Sequence, residues 1–270
     1  MHGAGNSFTV IDNTDGGLEK ARLRQLAKEL CAKYGSDGIL VTMPTEDPDA
    51  DFGMLYYNSD GSLGEMCGNG ARCIARYGFE HGLASDPENI RIRATAGIVF
   101  GRRITEELYE VRLNDPTVAE PERKAKACGQ EFSCSYVELG KPGIPHAVVL
   151  ASKKDFEDMD ALKVCGRQLR FSPVFPKGAN VTFVIPTGEN RIQAITYERG
   201  VEDFTLACGT GCGASAVSLS MWNLLSGSKL EIDMPGGHLS VRFKRNGNAF
   251  SDLLLTGPTA YIEENTEKRS

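Results

Sequence analysis

Two cysteines of this chain stand in the same setting. Cys67 opens Cys67-Gly-Asn-Gly-Ala71, and Cys208, 141 positions further on, opens Cys208-Gly-Thr-Gly-Cys212, with helix-forming residues after each. Glycines let consecutive backbone N–H groups converge, and a helix N-terminus adds partial positive charge, so such a loop holds an anion. A substrate carboxylate fits it. The same field favours a thiolate and predicts for each cysteine a pKa below the roughly 8.5 of a free thiol. One thiolate and one thiol on opposite faces of an amino acid's Cα would remove a proton from one side and return one from the other. The centre inverts, and the loop N–H groups act where negative charge grows. Neither pyridoxal nor a metal is required, so the expected cofactor is none and the expected metal is none.

Taken alone, either cysteine reads as a small buried residue behind a tight turn. Their shared context carries the chemical reading. A zinc site built from Cys67, Cys73, Cys208 and Cys212 is the rival, weakened because these positions contain no Cys-x-x-Cys pair. The glycine loops match neither Gly-x-Gly-x-x-Gly nor the phosphate loop with its lysine. Cys73 and Cys212 read as helix packing, and Cys31, Cys128, Cys134 and Cys165 as core or surface thiols. His2 and His81 belong to no constellation, and His238, in a Pro-Gly-Gly-His turn, reads as structural.

The elements that position these loops follow from apolar spacing. Strands are expected at 7–12, 39–43, 52–57, 90–95, 98–100 and 108–113, with a helix over 18–34 closed by Gly35 and another over about 71–77. Residues 114–126 turn polar and proline-bearing and are the candidate domain boundary. Beyond it, strands are expected at 135–139, 147–150, 180–185 and 192–198. Helices are expected at 156–169 and 214–225, and strand-like segments at 230–243 and 253–262. Repetition at so long a separation points to two related halves rather than a short-period solenoid. Two such halves can face one another across a cleft.

At 270 residues and 41% hydrophobic, the chain is long enough for one large domain or two smaller ones. A net charge of −6, with both signs interspersed, gives no footprint for nucleic acid or an anionic membrane. The opening Met1-His-Gly-Ala-Gly5 lacks the basic flank and apolar run of a secretory signal, so a cytoplasmic location is expected, and the eight cysteines are expected as thiols rather than a disulfide framework. The expected partner is a small amino-acid substrate, with no nucleic acid and no membrane; a homodimer stays open.

These residues also resemble, essentially end to end, the diaminopimelate epimerase family. The resemblance rests on His2-Gly-Ala-Gly-Asn6, Asn58-Ser-Asp-Gly-Ser62, Glu65-Met-Cys-Gly-Asn-Gly-Ala-Arg72, Pro145-His146, Asn180-Val181, Glu198-Arg-Gly200 and Ala207-Cys-Gly-Thr-Gly211. It implies an α/β (α+β) protein of two pseudo-symmetric domains, each a barrel-like, mostly antiparallel sheet around a central helix. The domains would be 1–115 and 116–270, with the last strand, after about 257, returning to the first. It implies Cys67 and Cys208 as the two bases, with His146 and Glu198 beside them. The backbone of Gly68, Asn69, Gly209 and Thr210 would hold the reacting carboxylate, and Asn6, Asn58, Asn180 and Arg199 would line the site.

A planar guanidinium at Arg199 suits a second carboxylate, which favours the two-headed substrate diaminopimelate, interconverted between its LL and meso forms. The chain departs from the family at Ile144, where an asparagine usually precedes Pro-His and contacts the far end of the substrate. Ser7 replaces a usual aspartate, the glutamine common near Gly38 is missing, and Glu198 to Cys208 holds one extra residue. An apolar Ile144 changes discrimination at the distal end, so racemisation of another amino acid, such as histidine, is the enzymatic alternative. A non-catalytic amino-acid binding protein is the alternative from another class.

Overall fold

The computed structural model describes residues 1–64 and 67–262, so Glu65 and Met66 of the quoted signature lie outside the described residues. It resolves into two compact units, one of Met1–Val111 with Gly257–Ser270, the other of Arg112–Thr256. Secondary structure is mixed, with mostly antiparallel strands and few helices. No helix among the described residues is long and apolar enough to cross a membrane.

In the first unit, β1 (His2–Gly3) pairs antiparallel with β2 (Asn6–Asp12), and β2 runs parallel to β3 (Gly38–Met43). Parallel neighbours need a long crossover, supplied here by α1 (Lys20–Tyr34). Its Leu23, Ala27 and Cys31, spaced every fourth residue, are buried against Ile39, Val41 and Tyr57. Gly35, at φ 66°, closes the helix by donating to Cys31 O at 2.8 Å. β4 (Phe52–Asn58) pairs antiparallel with β3 and with the short β5 (Leu63–Gly64). After α2 (Gly68–Glu80), β6 (Ile90–Ala94) lies parallel to β4, and β7 (Gly97–Arg103) and β8 (Leu108–Arg112) complete the meander. Beyond Gly257 the chain returns here: Thr259 N donates to Glu107 O at 2.7 Å and His2 bridges Ala260.

The second unit repeats this order with one added strand, β9 (Pro116–Ala127), paired antiparallel with β10 (Gln130–Leu139), which in turn pairs with the next strand as β1 does with β2. β11 (Ile144–Leu150) is parallel to β12 (Asn180–Gly188), with the crossover α3 (Met159–Arg170) between them. β13 (Arg191–Glu198) pairs with β12 and with the short β14 (Asp203–Thr205). Next come α4 (Gly209–Met221), then β15 (Lys229–Met234) parallel to β13, then β16 (Gly237–Asn246) and β17 (Ala249–Pro258). α4 is buried on every side except at Thr210 and Met221, a helix enclosed by sheet.

Four expectations of local structure need correction. Residues 114–126 are largely strand β9: Ala125 and Ala127 are buried while Lys124 and Lys126 are exposed, so the polarity belongs to one wet face. The helices expected at 71–77 and 214–225 begin earlier, immediately after their cysteines. Cys128 and Cys165 are not thiols but a disulfide with Cα atoms 5.6 Å apart, joining the β9–β10 turn to α3. His238 lies within β16, where Nδ1 and Nε2 meet Asp233 and Glu231, each at 2.8 Å.

The disulfide closes a loop of sequence separation 37. Chain-entropy reasoning assigns a crosslink of that span roughly 3–4 kcal/mol through the unfolded state. Replacing both Cys128 and Cys165 with Ser should therefore lower the urea midpoint with an unchanged native circular-dichroism spectrum; an identical midpoint would show that the bond contributes nothing.

Candidate active site

Each unit presents one helix whose N-cap is a cysteine. Cys67 caps α2 in extended backbone (φ −131°, ψ 114°); its Sγ accepts Gly70 N–H at 3.5 Å, and its carbonyl accepts Ala71 N–H at 2.8 Å. Cys208 caps α4 in the same way (φ −120°, ψ 104°), with Sγ accepting Gly211 N–H at 3.4 Å and its carbonyl Cys212 N–H at 2.9 Å. The first-turn N–H groups at Gly68 and Asn69, and at Gly209 and Thr210, lie before any intrahelical acceptor. They are suited to a carboxylate.

The second glycine of each loop serves close packing. A Cβ on Gly70 would come within 2.9 Å of Leu40 Cδ2, and one on Gly211 within 2.9 Å of Thr196 Oγ1 and 3.0 Å of Thr182 Oγ1. The helix mouths thus press directly onto the sheets beneath them. Strand register then decides which side chains share that face. In the first unit Phe8, Gly38 and Asn58 form one row across β2, β3 and β4, and Asn6 lies two residues from Phe8 on the same side. Asn6 Oδ1 accepts Asn69 Nδ2 at 2.5 Å, and Asn69 Oδ1 accepts Arg72 Nη2 at 2.9 Å. Asn58 caps its own turn, donating to Ser62 Oγ at 2.9 Å.

In the second unit His146 pairs with Asn180 across β11 and β12, while Thr182 pairs with Thr196. His146, Asn180 and Glu198 consequently share the face on which the mouth of α4 rests. The other face, with Ala147, Val181 and Tyr197, packs against Leu162, Cys165 and Leu169 of α3. Asn180 ties the row together: Nδ2 donates to Pro145 O at 3.2 Å, and Oδ1 accepts Arg199 N–H at 2.8 Å. Arg199 reaches outward, exposed, with Nη1 on Lys177 O at 3.1 Å. Glu198 Oε1 accepts Thr205 Oγ1 at 2.5 Å, and the Glu198 charge acts on the Cys208 thiol.

The electrostatics run against the expectation of an acidic Cys208. Burial pushes that thiol well above the ordinary range and the Glu198 charge adds to it, outweighing the hydrogen bonds from Thr210 and Gly211. Burial also raises the Glu198 carboxyl, against the Thr205 and Cys208 hydrogen bonds that hold it down. At rest, therefore, Cys208 is a thiol, with Glu198 as the titratable group whose charge acts on it. His146 is fully buried, with neither ring nitrogen hydrogen-bonded among the described residues, and burial with the Arg199 charge lowers its pKa to about 3. Cys73 is pushed up to about 12 by burial, and Cys212 Sγ contacts Met234 Sδ at 3.4 Å, so both belong to the packing. Among the described residues, no three His, Cys, Asp or Glu side chains group as a metal site requires.

In both units the register gathers most of the polar residues singled out by the sequence onto the face of the cysteine-capped helix, with Arg199 directed outward instead. Thr205 was missed; its only sequence signal is its place between Glu198 and Cys208. The fold is that of phenazine-biosynthesis and proline-racemase-type proteins. A PhzF-family phenazine biosynthesis protein of Bacillus anthracis superposes with a TM-score of 0.72 at 14% identity, covering 97% of this chain and 93% of its own. A hydroxyproline epimerase from Agrobacterium vitis gives 0.67 at 15% identity, covering 95% and 87%.

Sequence narrows the class. The diaminopimelate epimerase family profile matches residues 1–107 and 140–262. The diaminopimelate epimerase of Aquifex aeolicus (strain VF5) is 35% identical over 98% of this chain and 95% of its own length, and that of Archaeoglobus fulgidus is 34% identical over 97% and 90%. The chain belongs to the diaminopimelate epimerase family.

Two outcomes test the site's physics. Gly211→Ala should cost roughly 1–3 kcal/mol of stability, as overpacking does, in denaturant titration; a neutral effect would mean the mouth of α4 is not wedged against the threonines. His146, with a depressed folded pKa, should show no ring titration by NMR between pH 5 and 8. Stability tied to its neutrality is whole above its unfolded pKa of about 6.5 and is lost as pH falls toward 3. His146→Asn should flatten that slope.

Proposed function

We propose that this chain interconverts LL- and meso-2,6-diaminopimelate without a cofactor, by proton transfer at one α-carbon between Cys67 and Cys208. The observation that carries the reading is the pair of cysteine N-caps, each with its sulfur on the N–H three residues on and each at an anion-suited helix mouth. In this reading the two thiols approach the α-carbon from opposite sides, and the first-turn N–H groups of Gly68, Asn69, Gly209 and Thr210 hold its carboxylate. Cys208 hands its proton to Glu198 when it acts as base and receives it back when it acts as acid. His146, neutral, supplies an imidazole without adding a cation. Asn6, Asn58 and Asn180 bind or orient the amine and carboxylate groups, and Arg199 takes the far carboxylate.

Ile144 favours a second reading. It is half-buried at the start of β11, on the His146 face two residues away, and offers no hydrogen bond to a distal group. A racemase of a one-headed amino acid, such as histidine, would tolerate an aliphatic contact there.

Incubation in D2O with a panel of amino acids, followed by chiral chromatography and mass spectrometry, separates the readings. Deuterium should enter Cα of diaminopimelate alone; exchange in another amino acid and none in diaminopimelate would select the second. Cys67→Ser and Cys208→Ser should each cut turnover by roughly 10²–10⁴-fold, the usual weight of an acid or base. Unchanged turnover in either would remove the two-thiol mechanism.

A further inference from the structure

Thr205 stands three residues before Cys208 and outside the Cys-Gly-x-Gly loop, yet its hydroxyl makes the shortest bond to Glu198, 2.5 Å to Oε1. Thr205 is the donor and Glu198 Oε1 the acceptor. The backbone around it is fixed. Thr205 pairs with Thr196 and Asp203 with Glu198 in the β13–β14 ladder, and Glu202 N–H donates to Glu198 O at 2.8 Å to close the turn. α3 holds the same hairpin at two points, Lys163 on Asp203 at 2.6 Å and Arg170 on Glu202 at 3.0 Å. One hydroxyl on a braced strand thus meets one carboxylate oxygen of the residue whose charge acts on the Cys208 thiol.

We propose that Thr205 is a positioning residue for the Glu198–Cys208 pair, its hydroxyl fixing the carboxylate in the orientation and charge state in which it meets the thiol. The proposal rests on the reading of Glu198 and Cys208 as a working pair. Burial favours the neutral acid at Glu198, and the Thr205 bond opposes it. Without that donor, Glu198 protonates at higher pH and its oxygen is no longer aimed at sulfur. Both changes relieve Cys208 of the neighbouring charge that raises it. Within this unit, the other groups around Glu198 are already engaged or neutral. Asp203 and Glu202 are paired to α3, Arg199 points to Lys177 O, and His146, beyond Asn180, is uncharged near neutrality.

The test compares wild type with Thr205→Val, which keeps shape and removes the hydroxyl, and Thr205→Ser, which restores it. Thr205→Ala replaces the valine variant if that one lacks a native near-ultraviolet spectrum. In the Val variant, the acid limb of kcat/KM for α-proton exchange should move up by about one pH unit, a tenfold change in the proton equilibrium. Iodoacetamide labelling of Cys208 at pH 7, read peptide by peptide, should accelerate several-fold, with Cys67 as the internal reference. The Ser variant should behave as wild type in both. Coincident pH profiles and labelling rates in the Val, Ser and wild-type proteins would overturn the proposal. Labelling needs no substrate, so a chain inactive on every amino acid would sink the functional reading while the Cys208 rates still judged Thr205.

Discussion

A sulfur atom at the mouth of a helix, accepting the N–H three residues on, is the contact on which the rest of this structure depends. Helices are ordinarily capped by an oxygen of Ser, Thr, Asp or Asn, which satisfies the first-turn donors more strongly than sulfur can. At 3.5 and 3.4 Å the two caps here are long, sulfur-type bonds. A cap chosen for helix stability would be a serine. Cysteine in that place gives up some capping strength and gains a group that changes protonation where backbone N–H groups converge. The lost strength is made up by burial: α4 is enclosed, and Ser215 and Ser218 fold back onto the carbonyls of Gly211 and Ala214 at 2.8 Å each.

Enclosure has a consequence for the chemistry. A helix N-terminus lowers a thiol's pKa, but the same packing that seats α4 removes water from Cys208, and burial outweighs the dipole. The residue cannot rest as a thiolate beside an ionised Glu198. A thiol beside the Glu198 carboxyl is the arrangement that burial and the neighbouring charge favour, and it keeps the proton on the sulfur. His146 follows the same logic with the opposite sign, because burial denies it the proton. On this face, then, desolvation keeps His146 neutral, while at Glu198 it works against the charge that the Thr205 hydrogen bond supports.

Much of this was legible in the sequence because it is local. The Cys-Gly-x-Gly echo, the spacing of Leu23, Leu26, Leu30 and Cys31 in α1, and the apolar runs of β3, β12 and β13 are all read within a few residues of one another. What escaped is non-local. Cys128 and Cys165 share no pattern because their proximity is created by α3 docking on the sheet. β9 looked like a linker because half of its residues face water. The sign of the Cys208 shift was misread because burial is a property of the packed unit, whereas the helix-opening glycines are visible in the string. The sequence also held Thr205 in plain view, but only the β13–β14 ladder turns its hydroxyl onto Glu198.

The placement of these residues separates chemistry from specificity. His146, Asn180 and Glu198 are fixed by strand register under the mouth of α4, and a change in any of them disturbs ladder neighbours that are themselves buried. Arg199 is exposed and Ile144 half-buried at the tip of β11, where a different side chain costs the core little. A scaffold organised in this way can keep its proton-transfer face while its rim is rewritten, which is one physical reason a single fold accommodates different substrates. Ile144 lies at that rim, half-buried at the start of β11, so a different side chain there leaves the register of His146 and Asn180 untouched.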